Sequence, residues 1–460
     1  MIVALGLPVS VAVPLLAGVA WTSPATPHEK GGWPLALAYG YVLGLLITVL
    51  GMRALDAVHV PINFFTAAVL PVVCAAAGFW RRRNLLGLAR IDAGVARETW
   101  RALPKTSRFV VVALLALIAL RVLSTGAELL PRPIFPWEAV SAVAAKARVW
   151  FESGTLEQFV APGAWLQGAG VHTDTDPKAF ALPSLLLVWT ASALGQWHEG
   201  AVGFPWLMLG CCIGLALYGH LRRIGGGLAF ALTATYVFIS LPLVNVNMAL
   251  AGAPGWIAAS GVALAGCALL GGLTRPSRDM AVYGAIGATL ALASQVSTLP
   301  WLLFFGMSWF IERWPKAAFK LALAIPLVLL LVVLGLLQTP IPSGGSIWQL
   351  RISPDWRESV ESLFLLDNWH LLYGLVVLVT LAGRRWIFSR DWLSRTWIVA
   401  MGLGLMLLTG TLSLPGAWQG GLRQFSATAL ELAPMLVMWL ALTARQVALS
   451  SDALPSDPVT

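Results

Sequence analysis

The chain has 460 residues, 58% apolar and 11% charged, with 30 Lys and Arg against 21 Asp and Glu, a formal charge of +9 and a mean hydropathy of +0.79. Soluble globular chains carry about a quarter charged residues, so this is read as an integral membrane protein. Its apolar runs have the length of membrane-crossing helices, which excludes a β-barrel built from alternating strands of about ten residues.

In chain order, apolar runs predict helices at 1–21, 33–52, 60–80, 109–124, 179–197, 205–221, 228–250, 256–273, 279–298, 299–313, 317–337, 370–383, 396–413 and 426–444. The expected fold is all-α, a polytopic bundle of about 13 transmembrane helices plus surface or half-inserted helices in the first long outer loop. The first run lacks a basic start and a small-residue cleavage pattern, so it reads as a span and not a removable signal. The chain divides into a three-helix block with a basic loop (1–108), a membrane core with long outer loops at 125–178 and 338–369 (109–445), and a tail (446–460) read as disordered. Cys74, Cys211, Cys212 and Cys267 all lie in apolar runs, which implies neither a disulfide framework nor a zinc site. The 22 Trp against 6 Tyr suit many helix ends at a bilayer interface.

Orientation follows from where Lys and Arg collect. The 81–108 loop, Arg222 with Arg223, Arg275 with Arg278, the 313–320 stretch and the 384–395 stretch are all basic. They share the cytoplasmic face only if one segment between 124 and 221 fails to cross, and 179–197 is read as that segment, half-inserted from the outer side; the alternative is a full crossing that leaves Arg222 and Arg223 outside. The basic residues flank apolar spans instead of covering one soluble face, so the expected partner is the lipid bilayer and no nucleic acid.

The segment 131–154 has a proline-rich entry, an alanine-rich body and a glycine stop at Gly154, the pattern of a short helix lying along the membrane surface. Within it, Trp137-Glu138-Ala139, then Lys146-Ala147-Arg148, then Phe151 and Gly154, resemble the first outer loop of the membrane-embedded C-type glycosyltransferases. That family transfers a sugar from a polyprenyl-phosphate carrier on the outer face. The run His172-Thr173-Asp174-Thr175-Asp176-Pro177 before Leu182-Pro183, and Leu422-Arg423 before Leu430-Glu431, are similar to later family segments, so the likeness spans roughly 109–445. The chain departs from the pattern where the family's aspartate is Glu138, where Gly252-Ala253-Pro254-Gly255 replaces Gly-Tyr-Ala-Asp, and where Ser294-Gln295 stands for a lysine and glutamate.

Inverting sugar transfer needs a carboxylate to take the acceptor's proton and cations or a metal to hold the departing phosphate. The resemblance implies Glu138 as base, with Asp174 or Asp176 as alternatives; a helix-start glutamate serves equally as a cap. Donor binding falls to Lys146, Arg148 and Arg423, although interfacial snorkelling accounts for such residues too. Trp348, Arg351 and Trp356 are acceptor-binding candidates beside a solvated-loop reading. His172, Asp174 and Asp176 form a candidate site for a divalent metal ion, while oxygen-rich turns need none. Glu431, inside the last span, is either functional or bonded to another helix. No cofactor is certain; the lipid-linked sugar donor enters as substrate. The expected activity is hexosyl transfer at the extracytoplasmic face of a bacterial inner membrane, onto a lipid, glycan or protein. The alternatives are a non-catalytic membrane subunit of the same fold and a lipid or glycan transporter.

Overall fold

The computed structural model describes residues 2–24, 29–135, 137–174, 177, 180–314, 351–352, 356–387, 389, 392–413 and 421–452. The predicted helix at 317–337, and with it Trp348 and Asp176, lies outside the described residues.

The architecture is all-α. The helices are α1 (Ile2–Thr22), α2 (Gly32–Ala57), α3 (Phe64–Arg81), α4 (Leu85–Ala102), α5 (Lys105–Leu129), α6 (Ala145–Ser153), α7 (Pro162–Leu166), α8 (Leu182–Leu194), α9 (Phe204–Arg223) and α10 (Leu228–Ser240). They continue as α11 (Pro242–Ala249), α12 (Pro254–Thr274), α13 (Arg278–Ser294), α14 (Leu299–Arg313), α15 (Trp356–Phe364), α16 (Leu372–Ala382), α17 (Arg384–Ile387), α18 (Leu393–Thr411) and α19 (Gly421–Asp452). Among the described residues, seven helices are long and apolar enough to cross a membrane, or eight if the bent pair α10 and α11 forms one span. The remaining predicted spans correspond to shorter helices such as α16 and α18, or to 317–337.

The apolar runs set the helix positions, and the packing between them is set by small residues. In α12 and α13 a Cβ added to Gly261 would stand 2.4 Å from the backbone nitrogen of Ala291, and one added to Gly287 would stand 2.5 Å from that of Ala265. Gly261 and Ala265 on one helix thus interlock with Gly287 and Ala291 on the other, the close approach that small residues four apart permit where lipid supplies no hydrophobic drive. Two groups of buried polar side chains tie helices together. The Tyr39 hydroxyl donates to the Leu264 carbonyl at 2.8 Å and meets His220 Nε2 at 2.9 Å, while its ring stacks on Tyr283 at 4.4 Å. Trp301 Nε1 donates to Glu431 Oε2 at 2.6 Å, so the intramembrane carboxylate is tied to a neighbouring helix.

The basic clusters gather at one end of the bundle. Arg223 pairs with Glu29 at 2.5 Å and donates to Ser277 at 3.0 Å, Arg275 donates to the Arg223 carbonyl at 2.8 Å, and Arg395 bonds the Leu273 carbonyl. Arg82 reaches the Ser23 carbonyl at this end, and Trp33 Nε1 donates to Asp92 on α4 at 2.8 Å. Part of the loop expected at 81–108 is therefore the helix α4, charged along one side, and docked by Asp92 against the start of α2.

The helix α8 begins and ends at the opposite end. Ser184 Oγ donates to the Val143 carbonyl at 2.9 Å, and past the C-terminus Gly200 packs on the Leu129 and Leu130 carbonyls. Its 13 residues rise only about 20 Å, less than a hydrocarbon core of about 30 Å. Arg222 and Arg223 consequently fall with the other basic clusters.

Two further differences from the sequence reading have local causes. The run 228–250 is broken between α10 and α11 by a 66° bend, because Leu241 precedes Pro242 and is held at φ −59°, ψ 124°, outside the helical region. The last helix continues to Asp452, so the helical part of the tail read as disordered reaches that residue; 453–460 lie outside the described residues.

Candidate functional site

At the end opposite the basic clusters, the 130–181 segment folds over the ends of α2, α3 and α8. Its helix is built in two parts: a π-helical turn, Ala139–Ala144, continues into α6. Gly154 ends α6 at φ +69°, a left-handed conformation that a side chain disfavours. Its amide returns to the Trp150 carbonyl at 3.0 Å, and its carbonyl accepts from the Ile62 amide at 2.7 Å, which fastens the helix end to the α2–α3 connection. A second fastening is the Leu156 amide donating to Asp56 Oδ1 at 2.9 Å.

Beyond α6 the strands β1 (Phe159–Val160) and β2 (His172–Thr173) pair in parallel, Phe159 opposite His172. This register stacks the Phe159 and His172 rings at 5.3 Å and places His172 Nε2 2.7 Å from Glu157 Oε2. It also sets Asp174 against Lys146, an ion pair whose side chains are 1% and 4% exposed. The Lys146 ammonium lies 5.9 Å from the centre of the Phe159 ring, and Trp150 Nε1 donates to the Glu157 carbonyl at 2.9 Å.

These elements enclose an open cleft of about 800 Å³. Arg53 and Asp56 come from the end of α2, Lys146 and Trp150 from α6, and Glu157 and Phe159 from the segment that follows. Two carboxylates, two cations and two aromatic rings thus face one space large enough for a sugar and its phosphate. The arrangement can hold an anion beside a carboxylate and against an aromatic wall.

The expected site residues separate into groups. Lys146, His172 and Asp174 are brought together. Arg148 lies two residues from Lys146, on the far side of the helix, where it makes an exposed pair with Glu152 at 3.0 Å. Glu138, half-buried, immediately precedes the π turn, and the cleft's described walls include neither it nor Arg148. Arg423 falls in the first turn of α19, Trp356 is the first residue of α15, and Arg351 is in β3 (Arg351–Ile352), which pairs antiparallel with β4 (Leu412–Ser413). For the metal triad, His172 is engaged by Glu157 and Asp174 by Lys146; among the described residues no three His, Cys, Asp or Glu side chains are grouped to hold a metal.

Sequence reasoning missed Arg53, Asp56 and Glu157. Asp56 ends an apolar helix and Glu157 follows a glycine stop, places where a charged residue reads as interfacial; only the packing of the segment onto α2 joins them. No family model matches this chain, and neither does any curated protein or solved structure.

Proposed function

We propose that this chain transfers a sugar from a polyprenyl-phosphate donor to an acceptor hydroxyl at the extracytoplasmic face of a bacterial inner membrane. The observation that carries the reading is the cleft, at the end opposite the basic clusters, in which Arg53 and Lys146 stand beside Asp56 and Glu157. In this reaction the acceptor oxygen attacks the anomeric carbon, the bond from that carbon to the phosphate oxygen breaks, and the phosphate leaves with both electrons. The acceptor proton passes to a carboxylate. Arg53 offsets charge on the leaving phosphate, while Lys146 stays paired with Asp174 in the wall of the cleft.

Two carboxylates compete for the base. Glu138 is the choice of the family resemblance, whereas Glu157 lines the cleft and has one oxygen fixed by His172. The geometry favours Glu157, with His172 as a positioning residue. The test is release of polyprenyl phosphate by the purified protein in liposomes, supplied with labelled polyprenyl-phosphate hexoses and a panel of acceptors. Glu157→Gln should lower transfer by about 10²–10⁴-fold, the range of a lost general base, and Glu138→Gln should lower it far less. A loss confined to Glu138→Gln moves the base there. If the parent chain consumes no donor from the panel, the transfer reading fails.

The bend between α10 and α11 favours a second reading, a lipid or glycan transporter, because broken spans are where transporters build their sites. Movement of a labelled polyprenyl-phosphate sugar across proteoliposomes without sugar transfer would select it.

A further inference from the structure

A second cleft, of about 580 Å³, opens on the flank of the bundle between α5, α10 and the start of α16. Its charged member is Arg121, the one charged residue between Arg108 and Glu128. It stands eight residues before Leu129, about 12 Å from the end of α5 along the helix axis. A guanidinium at that depth is expensive unless something compensates it. Among the described residues Arg121 makes no ion pair, and its Nε is buried with no hydrogen-bond partner.

The opposite wall is the broken span. Interrupting a helix frees carbonyls that lipid cannot satisfy. Here Asn245 Nδ2 donates to the Ile239 and Leu241 carbonyls at 2.7 and 2.9 Å, and His370 Nε2 meets the Ser240 carbonyl at 3.1 Å. Asn245 Oδ1 in turn accepts from Thr125 on α5 at 2.9 Å, so the break is bolted to the helix that carries Arg121. His370 adopts φ +48°, a left-handed conformation that costs energy in a side-chain-bearing residue, and its Nδ1 lies 2.8 Å from Asp367. The Tyr236 hydroxyl, on the same wall, makes no hydrogen bond among the described residues. The Ile239, Ser240 and Leu241 carbonyls of the break are thus all engaged.

The mouth is apolar. Leu117 and Leu120, which line it, are 41% and 65% exposed on the flank of α5 that would face lipid. A ligand entering there needs an acyl part to lie along α5 and an anionic head to meet Arg121. We propose that this cleft binds the phosphate headgroup of a membrane glycerophospholipid, with the Arg121 guanidinium donating to two phosphate oxygens and the Tyr236 hydroxyl to a third. The site is separate from the Lys146 cleft and does not depend on the sugar-transfer reading.

Native mass spectrometry of the full chain in detergent, titrated with phosphatidylglycerol and with diacylglycerol of the same acyl chains, tests this. Phosphatidylglycerol should bind at least tenfold more tightly than diacylglycerol. Arg121→Gln should remove most of that preference, and Arg121→Lys should keep part of it because a point charge replaces a planar fork. A photoreactive phenylalanine analogue at Leu117 in the otherwise unaltered chain should crosslink to phosphatidylglycerol, a readout independent of whether Arg121→Gln folds. Equal binding of the two lipids, or unchanged preference in a folded Arg121→Gln, overturns the proposal and leaves Arg121 an interfacial anchor. Displacement of phosphatidylglycerol by inorganic phosphate alone also overturns it, since the site would then serve a soluble anion.

Discussion

Lys146, on the helix that Gly154 ends, and Asp174, just past the second strand, close an ion pair from which water is almost wholly excluded. Removing one member of such a pair leaves a buried charge without its counter-charge, at a cost of about 3–5 kcal/mol, whereas replacing both by apolar groups is often neutral. Lys146→Met and Asp174→Leu should each loosen the 130–181 segment, and the double variant should restore much of the loss. Limited proteolysis between Ser153 and Pro177 in detergent measures this; additive losses in the double variant would show that the two side chains act separately.

The placement of α8 fixes which loops share a face. With an impermeant thiol reagent applied to intact cells, cysteines at Trp165 and Glu199 should be labelled together, and those at Arg90 and Arg222 should be protected together. Labelling at 222 alongside 199 would mean that α9 does not cross as its 20 residues require.

For the carboxylate inside the last helix, the bond from Trp301 explains its tolerance at a site where Glu431 is 8% exposed. Glu431→Gln keeps an oxygen for the indole N–H and should change the unfolding temperature little. Glu431→Leu leaves that N–H unsatisfied and should cost about 1–3 kcal/mol, read by thermal unfolding in detergent. Equal effects of the two would show that the bond contributes nothing.

The contact between α12 and α13 leaves no room for a methyl group. Gly261→Val should destabilise the chain by about 1–3 kcal/mol or more through overpacking against Ala291. Gly374→Ala, at a position with open space around it, should be tolerated in the same assay.

Much of the bundle is legible in the amino-acid order, because length and hydropathy alone place α2, α9 and α12, and arginine clusters alone predict which ends group together. The glycine stop at Gly154 is equally plain. What hydropathy does not carry is α4, whose residues are too charged to read as a span yet hold a helical periodicity, and the break at Leu241, where a single proline interrupts a run that stays apolar throughout. The cleft is less legible still. Lys146 and Asp174 were separate candidates whose pairing depends on the Phe159–His172 register, a two-residue strand match with no compositional signal. Asp56 joins them only because the α2–α3 connection packs under Gly154.

The π-helical turn Ala139–Ala144 holds a consequence for how Glu138 is aimed. Such a turn accommodates one residue more than α-helical winding would. Deleting a single alanine from it would let the segment wind as continuous α-helix, keeping its backbone bonds and leaving Trp137 and Glu138 at nearly the same angle around the axis relative to Lys146, because the residue removed is the one the wide turn absorbs. Rewinding the turn as α-helix with every residue kept would instead swing Glu138 about 100° around the axis relative to Lys146, so it is the wide turn that holds the aim of the carboxylate against the extra residue.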